Sequence, residues 1–234
     1  MTLHSRDIES TANRRVKTWL SLSRRSVRDE TEQFLIEGRR ETIRALEHLT
    51  INELIWCPDI DSTPLQTDIV TTTVSRRVFE KISRRQNPDG IAAVTSTPDL
   101  SLTSFSPSAP ALVLAADGIE KPGNIGAMFR TCDAFGAAFL GSSLGTDLVN
   151  PNVVRSAQGS LFSVPAASVA REEAIEWCSR GQTQELNSPC LRNVATIWYK
   201  KDPVAAGLWM EGESGLSAED LVAVRKRASK HRNR

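Results

Sequence analysis

The sequence predicts an α/β protein of two domains. Helix-like and strand-like patterns alternate over residues 1–97, and a strand–loop–helix–strand pattern begins at Ala111. Between them lies PDLSLTSFSPSAP, residues 98–110, where Ser and Pro predominate and few side chains could pack. We therefore expect a small α/β domain over residues 1–97, an extended, mobile linker over 98–110 and a second domain over 111–234.

The elements of the first domain follow from apolar periodicity and from capping residues. Ser10 is a good N-cap for a first helix, and Ser75 is a good N-cap for a helix that ends near Ser83. Apolar and β-branched runs predict strands. The predicted strands are 33–37, 53–57, 68–72 and 90–96, and a further helix is predicted over 39–48.

The second domain opens with an apolar run over residues 111–116, which is typical of a buried strand. A turn at 122–123 leads into a helix, and residues 137–140 form the next strand. This βαβ unit implies a parallel sheet. Further helices are predicted over 152–159, 171–178 and 217–228, and short strands over 161–164, 195–199 and 204–209.

Composition and charge limit the classes of function. The 234 residues suffice for one large or two modest domains, and a formal net charge of +1 does not by itself indicate a nucleic-acid partner. Basic residues are nevertheless clustered over 76–85 and in the tail 225–234. Such clusters can contact phosphates, although for each cluster alone a solvated surface is the simpler interpretation.

Cysteine usage and the lack of long apolar runs indicate the compartment. The four cysteines form no CxxC pair and only three histidines accompany them, so neither a zinc site nor a disulfide framework is indicated. The first residues have no apolar region of the signal-peptide type, and no apolar run reaches the roughly 18–20 residues that span a bilayer. We expect a cytoplasmic protein with reduced thiols and no metal.

The segment DGIEKPGNIGAMFRTCDAFG, residues 117–136, is the strongest candidate for a ligand site. Gly123 and Gly126 permit close backbone approach, and the amides at the start of the helix could hold an anion or a hydroxyl. Arg130, about a turn and a half after Asn124, would project toward the same end and could stabilise an alkoxide. Alternatively, Asn124 only caps the helix and Arg130 is a surface residue, and the residues alone slightly favour this view.

A second segment, TDLVNPNVVRSAQGSLFSVP, covers residues 146–165. Asn150 and Pro151 mark a turn before a helix that carries Arg155 and ends at Gly159. A plain connector with one surface arginine would give the same pattern. A nucleotide-dependent oxidoreductase is disfavoured because neither segment has the G-x-G-x-x-G fingerprint or the ribose-binding carboxylate.

In order, spacing and composition, the two segments resemble the SpoU (TrmH-type) family of RNA ribose 2′-O-methyltransferases over about residues 111–178. The S-x-x-N-x-x-x-K, FLIEG and NPDGIAAV segments, at 10–17, 34–38 and 87–94, are similar to the family's L30e-like RNA substrate-binding domain. The resemblance implies a SPOUT-type α/β domain with a trefoil knot. It further implies S-adenosylmethionine as methyl donor, a homodimer, and a ribosomal or transfer RNA substrate.

The resemblance also assigns roles to residues. It places the family's functional Asn and Arg at Asn124 and Arg130, where the arginine would activate the 2′-hydroxyl and contact the target phosphate. This fits the chemistry, because a guanidinium stabilises a developing oxyanion and the remaining task is alignment. The expected RNA contacts, for which surface solubility is an equally good explanation, are Arg14, Arg15, Lys17, Arg39, Arg40 and Arg155.

The resemblance weakens toward the C-terminus. Gly215 and Leu216 match part of the family's second motif and would be cofactor-binding, whereas Glu211 and Glu213 each miss the glutamate position by one residue. The third motif, which builds the knot, much of the cofactor pocket and the dimer interface, is absent. We therefore expect an incomplete knot and weak or absent methyl transfer. The chain is either a truncated or frame-disrupted member, which the lost periodicity after about 180 favours, or a diverged member that binds RNA without methylating it.

Overall fold

A computed structural model describes residues 4–107, 112–179, 204, 207, 210 and 217–229. The strands are β1 (His4–Ile8), β2 (Gln33–Glu37), β3 (Ile51–Trp56), β4 (Thr71–Val74), β5 (Ile91–Ser96), β6 (Val113–Asp117), β7 (Ala138–Ser142) and β8 (Ala166–Val169). The helices are α1 (Arg14–Ser21), α2 (Arg25–Thr31), α3 (Arg39–His48), α4 (Arg76–Ile82), α5 (Pro122–Phe135), α6 (Pro151–Ala157), α7 (Ser160–Ser163), α8 (Arg171–Ser179) and α9 (Ala218–Ser229). The predicted α/β class is confirmed.

The first five strands form one mixed sheet in the order β1-β4-β3-β5-β2. Strand β5 pairs antiparallel with β2 and β3, whereas β4 pairs parallel with β1 and β3. Helices α1 and α4 bury Val16, Trp19 and Phe79 against this sheet. The predicted helix over 39–48 is confirmed, and Ser75 caps α4 by accepting a hydrogen bond from the Val78 amide.

Several details of this domain differ from prediction, and strand β1 was not predicted. Helix α1 is capped by Asn13, not Ser10, because the Asn13 side chain accepts from the Arg15 amide at 2.9 Å while Ser10 forms the preceding turn. Strand β4 begins at Thr71 rather than at 68. Helix α2 was not predicted, because Arg28 is its buried side chain and no apolar stripe marks it.

The remaining three strands form a parallel sheet in the order β6-β7-β8, as the βαβ pattern predicted. The predicted strand over 161–164 is wrong, because this segment belongs to α7 and the strand begins at Ala166. Ser160 and Ser163 both donate to the Asp133 carboxylate. Residues three apart share a face of a helix but not of a strand, so this contact requires the helical form.

One apolar core joins the two sheets. Phe34 from β2 and Ala45 from α3 belong to the same buried cluster as Val153 and Ala157 of α6. The rings of Phe34 and Phe162 lie 6.4 Å apart across this junction. The N-terminal sheet and the helices α6 and α7 are therefore packed directly on each other.

The segment that precedes β6 is better packed than its composition predicted. Phe105 is buried and meets the Trp177 ring edge-on at 5.1 Å. The Leu100 carbonyl accepts from the Ser168 amide at 2.9 Å. The expectation that this segment has little to pack is therefore wrong for the described part, because Phe105 packs against α8.

Toward the C-terminus, α9 confirms the helix predicted over 217–228. Ser217 and Asp220 form a reciprocal capping box at its start. Residues 204 and 207 are helical, which contradicts the strand predicted over 204–209. The strand predicted over 195–199, the residues Gly215 and Leu216, and the segment on which the knot depends lie outside the described residues. No helix in the described ranges is long and apolar enough to cross a bilayer.

Candidate active site

The carboxyl ends of the parallel strands carry a buried ion pair. Asp117, the last residue of β6, accepts from Arg171 at 3.0 and 2.9 Å and from the Ser142 hydroxyl at 2.9 Å. Such a two-pronged arginine–carboxylate contact is strong and geometrically specific. It ties β6, β7 and α8 together at the edge where open α/β sheets bind ligands. The sequence analysis did not predict this pair, although an acidic residue at the end of an apolar strand could have indicated it.

Helix α5 starts two residues earlier than the motif suggested. Lys121 is its N-cap residue, without a side-chain cap bond, and Pro122 is the first helical residue. Asn124 is therefore the third residue of the helix and is exposed, so the alternative in which it merely caps the helix is wrong. A side chain at Gly123 would meet no atom within 4 Å, so this turn is open to a ligand.

Gly126 serves helix packing rather than ligand approach. A Cβ atom on it would lie 2.6 Å from the carbonyl carbon of Ser156, so only glycine lets α6 pack this closely on α5. The Ser156 hydroxyl in turn donates to the carbonyl oxygens of Pro122 at 3.2 Å and Asn152 at 2.7 Å. The two motifs of the sequence analysis are thus locked together by one glycine–serine contact.

Arg130 reaches from α5 to the end of α6, where its guanidinium donates to the backbone carbonyl of Ser156. The side chain is exposed, and its partner is neutral, so its positive charge is not cancelled. Asn124 and Arg130 are about 9 Å apart along the helix axis and about 120° apart around it. No contact between them is found among the described residues, so they would have to meet a shared ligand from two sides.

The predicted RNA contacts divide into two groups. Arg15 is engaged with Glu53 and donates to the Thr72 hydroxyl at 2.6 Å. Arg39 holds Asp61 at 2.7 Å, and this hydrogen bond lowers the pKa of the Asp61 carboxyl. The others, which are exposed and form no ion pair within the described ranges, are Arg14, Lys17, Arg40 and Arg155.

The described residues hold no cluster of three or more side chains of the His, Cys, Asp and Glu types that would suit a metal ion. Cys57, Cys132 and Cys178 are buried. Burial raises the pKa of Cys57 and of Cys132, which disfavours their reactive thiolate forms.

Comparison with protein families gives two matches on one chain. Residues 111–197 match the SpoU rRNA Methylase family, and residues 13–93 match the MRM3-like substrate binding domain. The first match includes β6, α5 and α6, which carry the candidate site. The second includes most of the five-stranded sheet.

Individual relatives agree. The chain is 36% identical to the 23S rRNA (guanosine(2553)-2'-O)-methyltransferase RlmP of Bacillus subtilis over 68% of this chain and 64% of that enzyme. It thus spans slightly less than two thirds of this curated relative.

Solved structures give the same picture. An RNA 2′-O ribose methyltransferase is 35% identical, with a TM-score of 0.63 over 75% of this chain and 70% of that one. An AdoMet-bound rRNA methyltransferase from Sinorhizobium meliloti is 29% identical, with a TM-score of 0.65 over 74% of this chain and 67% of that one. The chain belongs to the SpoU family of RNA methylases.

Proposed function

We propose that this protein transfers a methyl group from S-adenosylmethionine to a ribose 2′-hydroxyl of ribosomal RNA, or of transfer RNA as the alternative substrate. The observation that carries the proposal is Arg130, an exposed guanidinium anchored on the neutral Ser156 carbonyl. The similarity to the Bacillus 2′-O-methyltransferase and to the AdoMet-bound Sinorhizobium methyltransferase supports the reaction class and the donor.

In this proposal Arg130 is the residue that acts on the nucleophile. A ribose hydroxyl is a poor nucleophile, and a guanidinium held beside it stabilises the negative charge that develops on its oxygen. The hydrogen bond to Ser156 fixes one part of the guanidinium and leaves other N–H groups for the hydroxyl and the adjacent phosphate. The geometry of this anchor determines where the hydroxyl must lie.

Asn124 would position the same nucleotide. Its exposed amide both donates and accepts hydrogen bonds, and it lies beside the open turn at Gly123. Contacts from Asn124 and Arg130 on two sides of one ribose would align its hydroxyl, and alignment is the second requirement of this reaction.

The methyl donor supplies an electrophilic methyl group on a sulfonium. At the carboxyl edge of the parallel sheet, the Asp117 carboxylate is bound by Arg171 and Ser142. It is therefore not free to bind the methyl donor. The residues proposed for cofactor binding, Gly215 and Leu216, lie outside the described part. We therefore assign no step to the cofactor beyond donation of the methyl group.

A second candidate is a member of the family that binds RNA without methylating it, which the mismatch of Glu211 and Glu213 with the glutamate position of the second motif supports. In both cases we propose that residues 1–97 bind RNA, 98–110 connect and 111–234 form the methyltransferase-type domain. We further propose that the protein is a homodimer, because the family resemblance implies one. We propose a cytoplasmic location because the substrate is RNA.

The two candidates differ in a methylation assay with labelled S-adenosylmethionine and ribosomal RNA. The enzyme proposal predicts that the labelled methyl group enters the RNA beside a phosphodiester bond that alkali does not cleave, because 2′-O-methylation blocks strand cleavage. Arg130→Ala should lower the rate by about 10²–10³-fold. Arg77→Ala, which removes an exposed arginine elsewhere, is the matched control and should not change it. If ribosomal and transfer RNA are both bound in gel shifts but the wild type incorporates label into neither, the enzyme proposal is rejected in favour of the second candidate.

A further inference from the structure

A cleft of about 350 Å³ opens between the two sheets. One wall comes from α1, β2 and the end of α4, and the other comes from α6. Its volume is at the low end of the roughly 300–1,000 Å³ that ligand pockets have. The cleft therefore has room for only a small part of an unpaired strand and none for a duplex.

The charged lining of this cleft is predominantly basic. Lys81 and Arg84 line it from the N-terminal domain and Arg155 lines it from α6, and all three are exposed. Across the ranges that the structure describes, none of these three side chains has an ion pair or hydrogen bond with a carboxylate. Positive charge without a carboxylate partner is what an incoming anion would neutralise.

Glu37 is the carboxylate in the cleft lining, and it already accepts hydrogen bonds from neighbouring groups. Its oxygens accept from the Ser83 hydroxyl and, at 3.0 Å, from the Arg84 backbone amide. The Arg85 guanidinium lies 4.0 Å away and offsets its charge. Glu37 therefore shapes the loop after α4 and does not neutralise the cations around it.

The remaining lining offers an apolar surface. Leu20 and Leu35 are partly exposed in the cleft, next to the basic side chains. Unpaired bases need such a surface beside the phosphate contacts, because splayed bases lose their stacking partners. A site with three cations and an apolar floor suits a phosphodiester with unstacked bases better than an acidic peptide, whose side chains need no apolar floor.

The cleft and the candidate active site share helix α6. Its far wall is α6, and Ser156 on α6 holds Arg130. A strand whose ribose lies at Arg130 would therefore have α6 beside it, and Arg155 on the same helix faces the cleft.

We propose that this cleft binds an unpaired segment of the RNA substrate, with phosphates at Lys81, Arg84 and Arg155 and a base against Leu20 and Leu35. This inference rests on the proposed function for the identity of its ligand as RNA. It adds a binding site, formed between the two domains, that is separate from Asn124 and Arg130.

The test compares two triple variants of the full chain. The cleft variant is Lys81→Ala with Arg84→Ala and Arg155→Ala. The matched control, which removes the same charge from exposed positions outside the cleft, is Arg24→Ala with Arg25→Ala and Arg77→Ala. Binding of a short fluorescent single-stranded RNA is measured by anisotropy over a series of salt concentrations, beside a duplex and an acidic peptide, after thermal melting has shown that both variants fold.

The cleft variant should bind the single strand about tenfold or more weakly, and the slope of log K against log salt should fall by about 2 for three lost phosphate contacts. The control should retain the wild-type slope. Equal losses in both variants, a preference for duplex, or tighter binding of the peptide would overturn the proposal. If the wild type transfers no methyl group yet the cleft variant alone loses RNA, the proposed enzyme activity fails and the cleft site stands.

Discussion

The junction between the two sheets has two flanks that use basic residues in opposite ways. On the closed flank, Arg28 is 2% exposed and binds Asp147 at 2.5 and 3.3 Å. Arg44 likewise binds Asp133 at 3.2 Å. On the open flank, Lys81 and Arg84 line the cleft without an acidic partner among the described residues. The closed flank holds the domains together, and the open flank is free to bind an anion.

The difference is not visible in the spacing of charges along the chain. Arg84 and Arg85 are adjacent, yet Arg85 binds Glu41 at 2.9 Å and Asp89 at 3.3 Å while the Arg84 side chain turns to the cleft. What decides the role of each arginine is whether the fold brings a carboxylate within reach. A basic cluster in a sequence therefore has to be divided residue by residue before any of it is assigned to RNA.

The largest expected effect is on the closed flank. Arg28→Ala should lower the free energy of unfolding by about 3 kcal/mol, because it leaves the partly buried Asp147 carboxylate without its partner. The guanidinium also donates to the carbonyls of Leu22 and Ser23, which would lose these bonds. Urea unfolding measures the change. The double variant Arg28→Met with Asp147→Asn removes both charges and should cost clearly less; if it costs as much as the single variant, the ion pair does not fasten this flank.

The contact between α5 and α6 comes next, since α6 forms one wall of the open flank. Gly126→Ala should cost about 1–3 kcal/mol, because its Cβ would lie 2.6 Å from the Ser156 carbonyl carbon and the helices would have to separate. Gly123→Ala in the same helix is the control, since a Cβ there meets nothing within 4 Å. Thermal melting of both variants compares them. A Gly126→Ala protein as stable as Gly123→Ala would show that the close approach does not matter.

Asp133 gives the closed flank a pH dependence. Burial raises the pKa of its carboxyl, but hydrogen bonds from Ser163 and Ser160 and the charge of Arg44 outweigh this and hold the pKa below its usual value of 3.8. Because the folded pKa is the lower one, the stabilisation is present above the unfolded value of about 3.9 and is lost as pH falls through the folded pKa.

Asp133→Asn should therefore cost about 1–2 kcal/mol at neutral pH. The gap between wild type and variant in the free energy of unfolding should narrow as the pH falls below about 4. Urea unfolding over a pH series measures this gap. A gap that stays constant down to acid pH would mean that the carboxylate charge contributes nothing, and that the asparagine fails for reasons of shape.

Much of this architecture could be predicted from the sequence because it depends on local periodicity and capping. The apolar run before Asp117 and the Ser75 cap gave a strand and a helix in nearly their observed positions. Helix α2 could not be predicted in this way, because it is held by the Arg28 contact to a residue 119 positions away. Long-range polar contacts leave no period in the sequence.

The candidate site was predicted only in part, because its long-range contacts also leave no period in the sequence. Arg130 and Asn124 were identified from their motif, and their roles stay predictions. The Ser156 anchor was not foreseen, because no spacing rule links residue 130 to a carbonyl on another helix. Nor was the division of the basic residues, since Arg15 and Arg39 look like Arg14 and Arg40 until their carboxylate partners are known.

The smallest expected effect sharpens the contrast between the flanks. Arg84→Gln should change the free energy of unfolding by no more than about 0.5 kcal/mol, because the exposed side chain has no charged partner in the described ranges to lose. Arg85→Gln, one residue along, removes contacts to Glu41 and Asp89 and should destabilise the protein measurably. Parallel urea titrations of the two variants make the comparison. If the Arg84 variant loses as much stability as the Arg85 variant, Arg84 is a structural residue, and its positive charge on the open flank is not free to bind an anion.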